Sequence, residues 1–209
     1  RIAANEAVAR FLEKTGNTSV YRVHDHPDEE KLNALKRLVS IMGLPIHIPE
    51  DPTPKDIQKL LESVEGEDIE PVIQVMTLRS LPQACYKTEN AGHFGIASKC
   101  YTHFTSPIRR YPDLMVHRLI RQALSEQLKK NQLKAQTDFL VRACDHCSET
   151  EQNATQTERD VDDLKMTEYM IPFAGEPFDA HITGITRFGI FVGLDNGVEG
   201  LIHIDTMED

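Results

Sequence analysis

Basic charge is in short supply in this chain of 209 residues, where 23 Lys and Arg face 33 Asp and Glu for a formal charge of −10. Proteins that bind nucleic acid or membranes through bulk electrostatics are usually basic overall, so that class is disfavoured, although a local basic site is not. Only four cysteines occur (Cys85, Cys100, Cys144 and Cys147), without the spacing of a small secreted domain. A disulfide framework is therefore not expected, and a reducing compartment is. No apolar run is long enough to span a bilayer and no signal-peptide pattern is present, so we expect no membrane partner and a cytoplasmic location.

What is present is unevenly placed. Residues 83–124 carry six cations (Lys87, Lys99, Arg109, Arg110, Arg118, Arg121) against two acids (Glu89, Asp113), whereas residues 149–168 carry two cations against seven acids. The net value thus hides a cationic island. It coincides with His93–Leu124, a stretch dense in aromatics, histidines and arginines beside a turn-then-helix signal. The chain opens at Arg1 on a helical pattern without Met and stops at Met207-Glu208-Asp209, from which we expect a piece of a longer protein.

Helical periodicity places Ile2, Val8, Phe11 and Leu12 on a first helix ending near Gly16, and Ser19–His24 has the content of a short strand. After Pro27, Leu32, Leu35, Leu38, Val39 and Met42 outline an amphipathic helix with Gly43 at C′. Thr53-Pro54 reads as N-cap and first position of a helix through Val64. From Pro71 the chain is apolar on most sides, which predicts a buried helix bent or ended by Pro82. His93–Ala97 reads as a strand. Residues 106–124 form either one kinked helix or a turn followed by a helix, and a long helix with an acidic middle runs from about Thr137 to Met170. Beyond Glu176 the period becomes strand-like. Phe178–Thr183, Gly189–Leu194 and Glu199–Ile204 form a three-run meander with open edges, through which non-native self-association is conceivable.

Several constellations can carry chemistry. Ser106-Pro107 can open a helical turn whose N–H groups face a phosphate. Tyr101 and Phe104, beside the arginines, either stack on bases or seat the turn in the core. His93, His103 and His117 suit no single helix face and fit packing or phosphate contact better than a metal triad. Cys144-x-x-Cys147 lacks a second CxxC, so incidental thiols are favoured over zinc. Asp160, Asp162 and Asp163 read as a solvated helix face.

The pattern Gly184-Ile-Thr-Arg-Phe-Gly-Ile-Phe-Val192, followed by Glu199-Gly-Leu-Ile-His-Ile204, resembles the first three strands of the S-one-type RNA-binding domain, a five-stranded OB-fold barrel. That resemblance implies single-stranded RNA on a face carrying Phe188, Phe191 and His203. Exposed rings suit the task because they stack on bases without demanding a sequence. His93-Phe-Gly-Ile-Ala97 followed by Tyr101-Thr-His-Phe-Thr-Ser-Pro-Ile-Arg-Arg-Tyr-Pro-Asp-Leu114 resembles the end of the catalytic (RNB) domain of the RNase II/RNase R family of 3′-to-5′ exoribonucleases. It extends upstream to Ala3-Ala-Asn-Glu-Ala-Val-Ala-Arg-Phe-Leu12 and downstream to Glu158–Met170, and it looks more like the RNase R branch. The implied fold is an α/β (α+β) partial catalytic domain over 1–172, largely helical, followed by a truncated OB-fold over 176–209.

The implied function is stepwise hydrolysis of single-stranded RNA to nucleoside 5′-monophosphates, with Mg²⁺ held by carboxylates in the parent. The resemblance implies that an arginine of the TSPIRR motif meets the scissile phosphate, Arg109 first and Arg110 second. Tyr101, His103, Thr105, Ser106 and Arg118 are the expected RNA contacts around it. The family's Asp-rich metal motif has no counterpart in residues 1–90, so we expect no tightly bound metal and no exonuclease activity in this stretch alone. The rival reading is a non-catalytic RNA-binding adaptor.

Overall fold

The computed structural model describes residues 1–125 and 130–207, so Glu208 and Asp209, which figure in the reading of the chain's end, lie outside the described residues. The chain forms two compact units, Arg1–Gln152 and Asn153–Asp209. Along the chain come α1 (Ile2–Lys14), β1 (Tyr21–Val23), α2 (Glu29–Ile41), α3 (Pro54–Ser63), α4 (Glu70–Ser80), β2 (Cys85–Lys87), α5 (Tyr111–Leu124), α6 (Lys130–Met170), β3 (His181–Thr186), β4 (Gly189–Gly193) and β5 (Glu199–His203). No helix among the described residues is long and apolar enough to cross a membrane.

In the first unit, α2, α3 and α4 pack around Leu32, Leu35, Val39, Ile48, Leu60, Val64 and Ile73. Each such side chain contributes about 1.5–3 kcal/mol by leaving water. Local signals set the helix ends. Asp28 caps α2 by accepting from the Lys31 N–H at 3.0 Å, and Gly43 follows at φ +66, the left-handed geometry of a C′ residue. Thr53 and Asp56 form a capping box on α3 with Pro54 at its first turn. Leu81 turns extended before Pro82, which ends α4 there.

The expectation that α4 is buried on most sides is wrong. It buries Ile73, Thr77 and Ser80, while Val72, Val75 and Leu78 are exposed. A three-helix layer covers only one face of each member, whatever the apolar content of the others.

A second core joins α1, α5, α6 and the sheet through Leu12, Val20, Tyr86, Met115, Val116, Leu119, Leu140 and Cys144. Here the strand expected at His93–Ala97 is instead a 3₁₀ turn, Phe94–Ile96, closed by Ala97 in the left-handed region at φ +54. Its main chain bonds back on itself, with Ala97 N donating to Phe94 O and Ser98 N to His93 O. The partner of β1 is β2, unforeseen in the sequence, in antiparallel register Tyr21↔Lys87 to Val23↔Cys85. Residues 106–110 form a turn and α5 begins after it, which settles the alternative left open above. The long helix begins earlier than Thr137, at Lys130.

The second unit holds the rest of α6, a 3₁₀ turn Ile171–Phe173 and the antiparallel meander β3-β4-β5. β3 starts at His181 rather than Phe178 and continues to Thr186, because β4 supplies partners only from Gly193 back to Gly189. Gly189 is required where β4 and β5 approach, since a Cβ there would overlap the Ile202 carbonyl oxygen.

Candidate functional site

The cationic island is pinned from several sides. Buried Asn5 on α1 donates to the Tyr101 hydroxyl at 2.9 Å and accepts the Phe104 N–H at 3.2 Å. Thr102 donates its hydroxyl to Val20 O, and Arg22 N donates to Tyr101 O, which ties the segment to β1. His117 of α5 stacks on Phe104, with ring centroids 4.3 Å apart, and its Nε2 lies 2.9 Å from Phe104 O. Tyr101 therefore seats the turn in the core rather than presenting a ring to solvent.

Against this frame lies a layer of cations, aromatics and imidazoles. The Arg22 guanidinium sits 4.6 Å from the Tyr86 ring centroid and pairs with Glu151 of α6. Burial raises the Tyr86 pKa, so its hydroxyl stays protonated, and it lies in hydrogen-bond contact with His103 Nδ1 at 2.8 Å. Burial, together with the Arg110 and Arg22 charges, lowers the His103 pKa to about 4. His93, stacked on His24 at 5.2 Å, is lowered to about 4 by burial and by the His24 and Arg22 charges. At neutral pH both imidazoles are thus uncharged, and the positive charge of the site is carried by arginines.

The arginines differ in how they are held. Asp113, fully buried in the first turn of α5, accepts the Ser106 N–H at 2.7 Å and Arg110 Nη2 at 2.9 Å through Oδ1. Its Oδ2 lies 2.9 Å from Arg110 Nε, off the direction of a good hydrogen bond. Arg109 N and Arg110 N both donate to Ser106 O. The phosphate-facing N–H groups expected of the Ser106-Pro107 turn are therefore largely engaged within the protein. Arg109 is exposed, and its guanidinium makes no hydrogen bond or ion pair among the described residues. Of the other expected contacts, His103, Thr105 and Ser106 are half-buried beside this turn, and Arg118 is exposed on α5.

Arg22, Tyr86, Asn5, Asp113 and Glu151 were not singled out in the sequence. Arg22 had one visible signal, a lone cation alternating with apolar Tyr21 and Val23 in a strand. Glu151 had none, because it lies 129 residues from Arg22. Cys144 and Cys147 pack in the α5–α6 core, and burial pushes the Cys144 thiol up to about 12. Asp160, Asp162 and Asp163 are exposed on α6. Among the described residues no three His, Cys, Asp or Glu side chains come together as metal ligands.

The meander offers a second surface. Phe191 opposes Leu201, and Gly189, two residues back, opposes His203, so Phe191 and His203 share a face of the sheet. Phe188 meets Phe191 edge-on, with centroids 6.2 Å apart, and Phe191 packs over Gly184, whose missing side chain leaves room for the ring. All three expected aromatic and histidine positions are therefore brought together, with Phe188 and His203 exposed and Phe191 half-buried. His203 Nδ1 also accepts from Asp205 N at 3.3 Å.

Comparison with known proteins bears on both surfaces. Residues 1–126 match the family described as RNB domain, and residues 171–209 match the S1 RNA binding domain. Ribonuclease R of Aquifex aeolicus is 43% identical over 210 residues, which cover 100% of this chain and 29% of that protein. The structure titled apo form of Mycoplasma genitalium RNase R superposes with a TM-score of 0.91 at 33% identity, covering 100% of this chain and 33% of that one. The same enzyme in complex with ribose methylated single-stranded RNA gives 0.90 over the same shares. The chain thus spans about 30% of the length of the relatives it matches.

Proposed function

The chain belongs to the RNB domain family, and from that premise we propose that it is the C-terminal part of the catalytic domain of an RNase R-type enzyme. It leads into the opening strands of an RNA-binding domain of the kind matched at residues 171–209. In this reading the whole enzyme is cytoplasmic and hydrolyses single-stranded RNA from its 3′ end, releasing nucleoside 5′-monophosphates. Arg109 meets the scissile phosphate, while His103, Thr105 and Ser106 line the approach. The carboxylates that hold Mg²⁺ belong to the part of the enzyme before Arg1, and the 209-residue chain alone is inactive.

The observation that carries this reading is Arg109, exposed and without an ion pair among the described residues, next in the chain to Arg110, which Asp113 neutralises, just as Glu151 neutralises Arg22. A guanidinium donates through a fixed fork, so it gains most where charge accumulates on phosphate oxygens in the transition state. Arg109→Ala in the full-length enzyme should therefore lower kcat by about 10²–10³-fold, with a much smaller loss of RNA affinity. Equal losses in both would contradict the role. Nucleotide release by the 209-residue chain with Mg²⁺ or Mn²⁺ would overturn the inactivity. RNA binding without turnover by the full-length protein would instead support a non-catalytic adaptor.

A further inference from the structure

We infer that Asp113 is the positioning residue of this site: it sets the direction of Arg109 by holding the residues on both sides of it with a single carboxylate. The inference rests on the phosphate-contacting role proposed for Arg109. It goes further by assigning a separate residue, which touches no substrate, as the element that presents the guanidinium.

The geometry is specific. The turn runs Ser106-Pro107-Ile108-Arg109-Arg110, and Asp113 grips both of its ends, the Ser106 N–H at 2.7 Å and the Arg110 guanidinium at 2.9 Å. Within the turn, the Arg109 and Arg110 N–H groups close on Ser106 O at 3.3 and 3.1 Å. Arg109 therefore lies between two anchored neighbours, and Ile108 beside it is fully exposed, so no apolar contact steadies the tip of the loop. Asp113 is itself immobilised. It has no exposed surface and sits in the first turn of α5, where a carboxylate is favoured by the helix N-terminus. Its neighbours Pro112, Met115 and Val116 are buried. A buried carboxylate needs this many donors, and all those found belong to the turn. The Arg110 pairing also uses up the second guanidinium of the motif, which leaves Arg109 as the one free to meet an anion.

The test uses the full-length enzyme and four proteins: wild type, Asp113→Asn, Arg109→Ala and the double variant. Asparagine keeps one oxygen for the Ser106 N–H but loses the charge that holds Arg110. Misplacing a catalytic group by about 1 Å can cost on the order of 10²-fold. Asp113→Asn should accordingly lower kcat by roughly 10- to 100-fold while KM changes little. In the Arg109→Ala background the same substitution should lower kcat no further, because the group it positions is already absent.

A purely structural Asp113 gives a different pattern: its effect on kcat persists undiminished in the Arg109→Ala background, or is absent altogether. Either result overturns the inference while leaving the role of Arg109 standing. Wild-type kcat in Arg109→Ala would overturn that role instead. Should Asp113→Asn not fold, Asp113→Glu takes its place, since it retains the charge but displaces the turn, with the same non-additivity expected.

Discussion

Asn5 gives the sharpest test of how the site is held. It is 3% exposed on α1 and makes two hydrogen bonds to a segment almost a hundred residues away, to the Tyr101 hydroxyl and from the Phe104 N–H. Asn5→Ala removes both partners at once and leaves two polar groups without a bond in a region with little water. Each orphaned group costs about 1–3 kcal/mol. Allowing for the half-exposure of Phe104, the expected loss is about 2–4 kcal/mol. For a unit the size of Arg1–Gln152 this corresponds to a fall in Tm of roughly 5–15 °C. The chain has no tryptophan and five tyrosines, of which all but Tyr169 lie in that unit, so near-UV circular dichroism follows its unfolding selectively. Tyr101→Phe, which orphans only the Asn5 amide, should cost about 1 kcal/mol. The double variant should cost less than the sum of the two, since removing both partners strands neither. A loss under about 0.5 kcal/mol for Asn5→Ala, or strictly additive costs, would refute the view that Asn5 staples the arginine-bearing segment to α1.

Two further outcomes are open to measurement. His93 and His103 titrate near 4 in the fold against an ordinary value of 6.5, so the unfolded chain binds more protons between those limits. Their contribution to stability is present above pH 6.5 and is lost as pH falls towards 4, up to about 3 kcal/mol each. Urea midpoints should decline between pH 7 and 5, and a flat profile there would contradict the buried neutral imidazoles. In the meander, Phe188→Ala and Phe191→Ala should each weaken single-stranded RNA binding by about 1–3 kcal/mol, roughly 5- to 150-fold by anisotropy, if the rings stack on bases. Unchanged affinity would return them to a packing role.

Much of the fold was legible wherever the information is local. Gly43, Thr53 and Pro54 each announce a helix end through hydrogen bonds or dihedrals made within a few residues, and the structure uses all three. What was misread depends on distant partners. Cys85–Lys87 becomes a strand because β1 lies alongside, and only Tyr86 in it is buried, too little for an alternating pattern to register. His93–Ala97 has strand-like composition but stacks on the buried His24 ring, and apart from the Phe94 N–H bonded to His24 O its main chain closes on itself in a tight turn rather than pairing along a strand. In α4, composition overstated burial, because which face of an apolar helix is covered depends on how many neighbours the layer contains.

The site was legible in the same uneven way, and magnitudes show why the choice between two adjacent arginines needed the structure. Arg110 and Asp113 stand three residues apart, a spacing open to inspection, yet the decisive fact is that Asp113 has no exposed surface and Arg110 only 20%. Withdrawing one partner from such a pair costs about 3–5 kcal/mol. A phosphate recruiting Arg110 would have to supply that before gaining anything, as would one recruiting Arg22 from Glu151, though less, because Glu151 is 40% exposed. Arg109, exposed and without an ion pair among the described residues, carries no such penalty. The overall −10 of the chain is therefore compatible with a locally cationic turn: carboxylates pair Arg22 and Arg110, while the adjacent Arg109 is exposed and has no ion pair among the described residues.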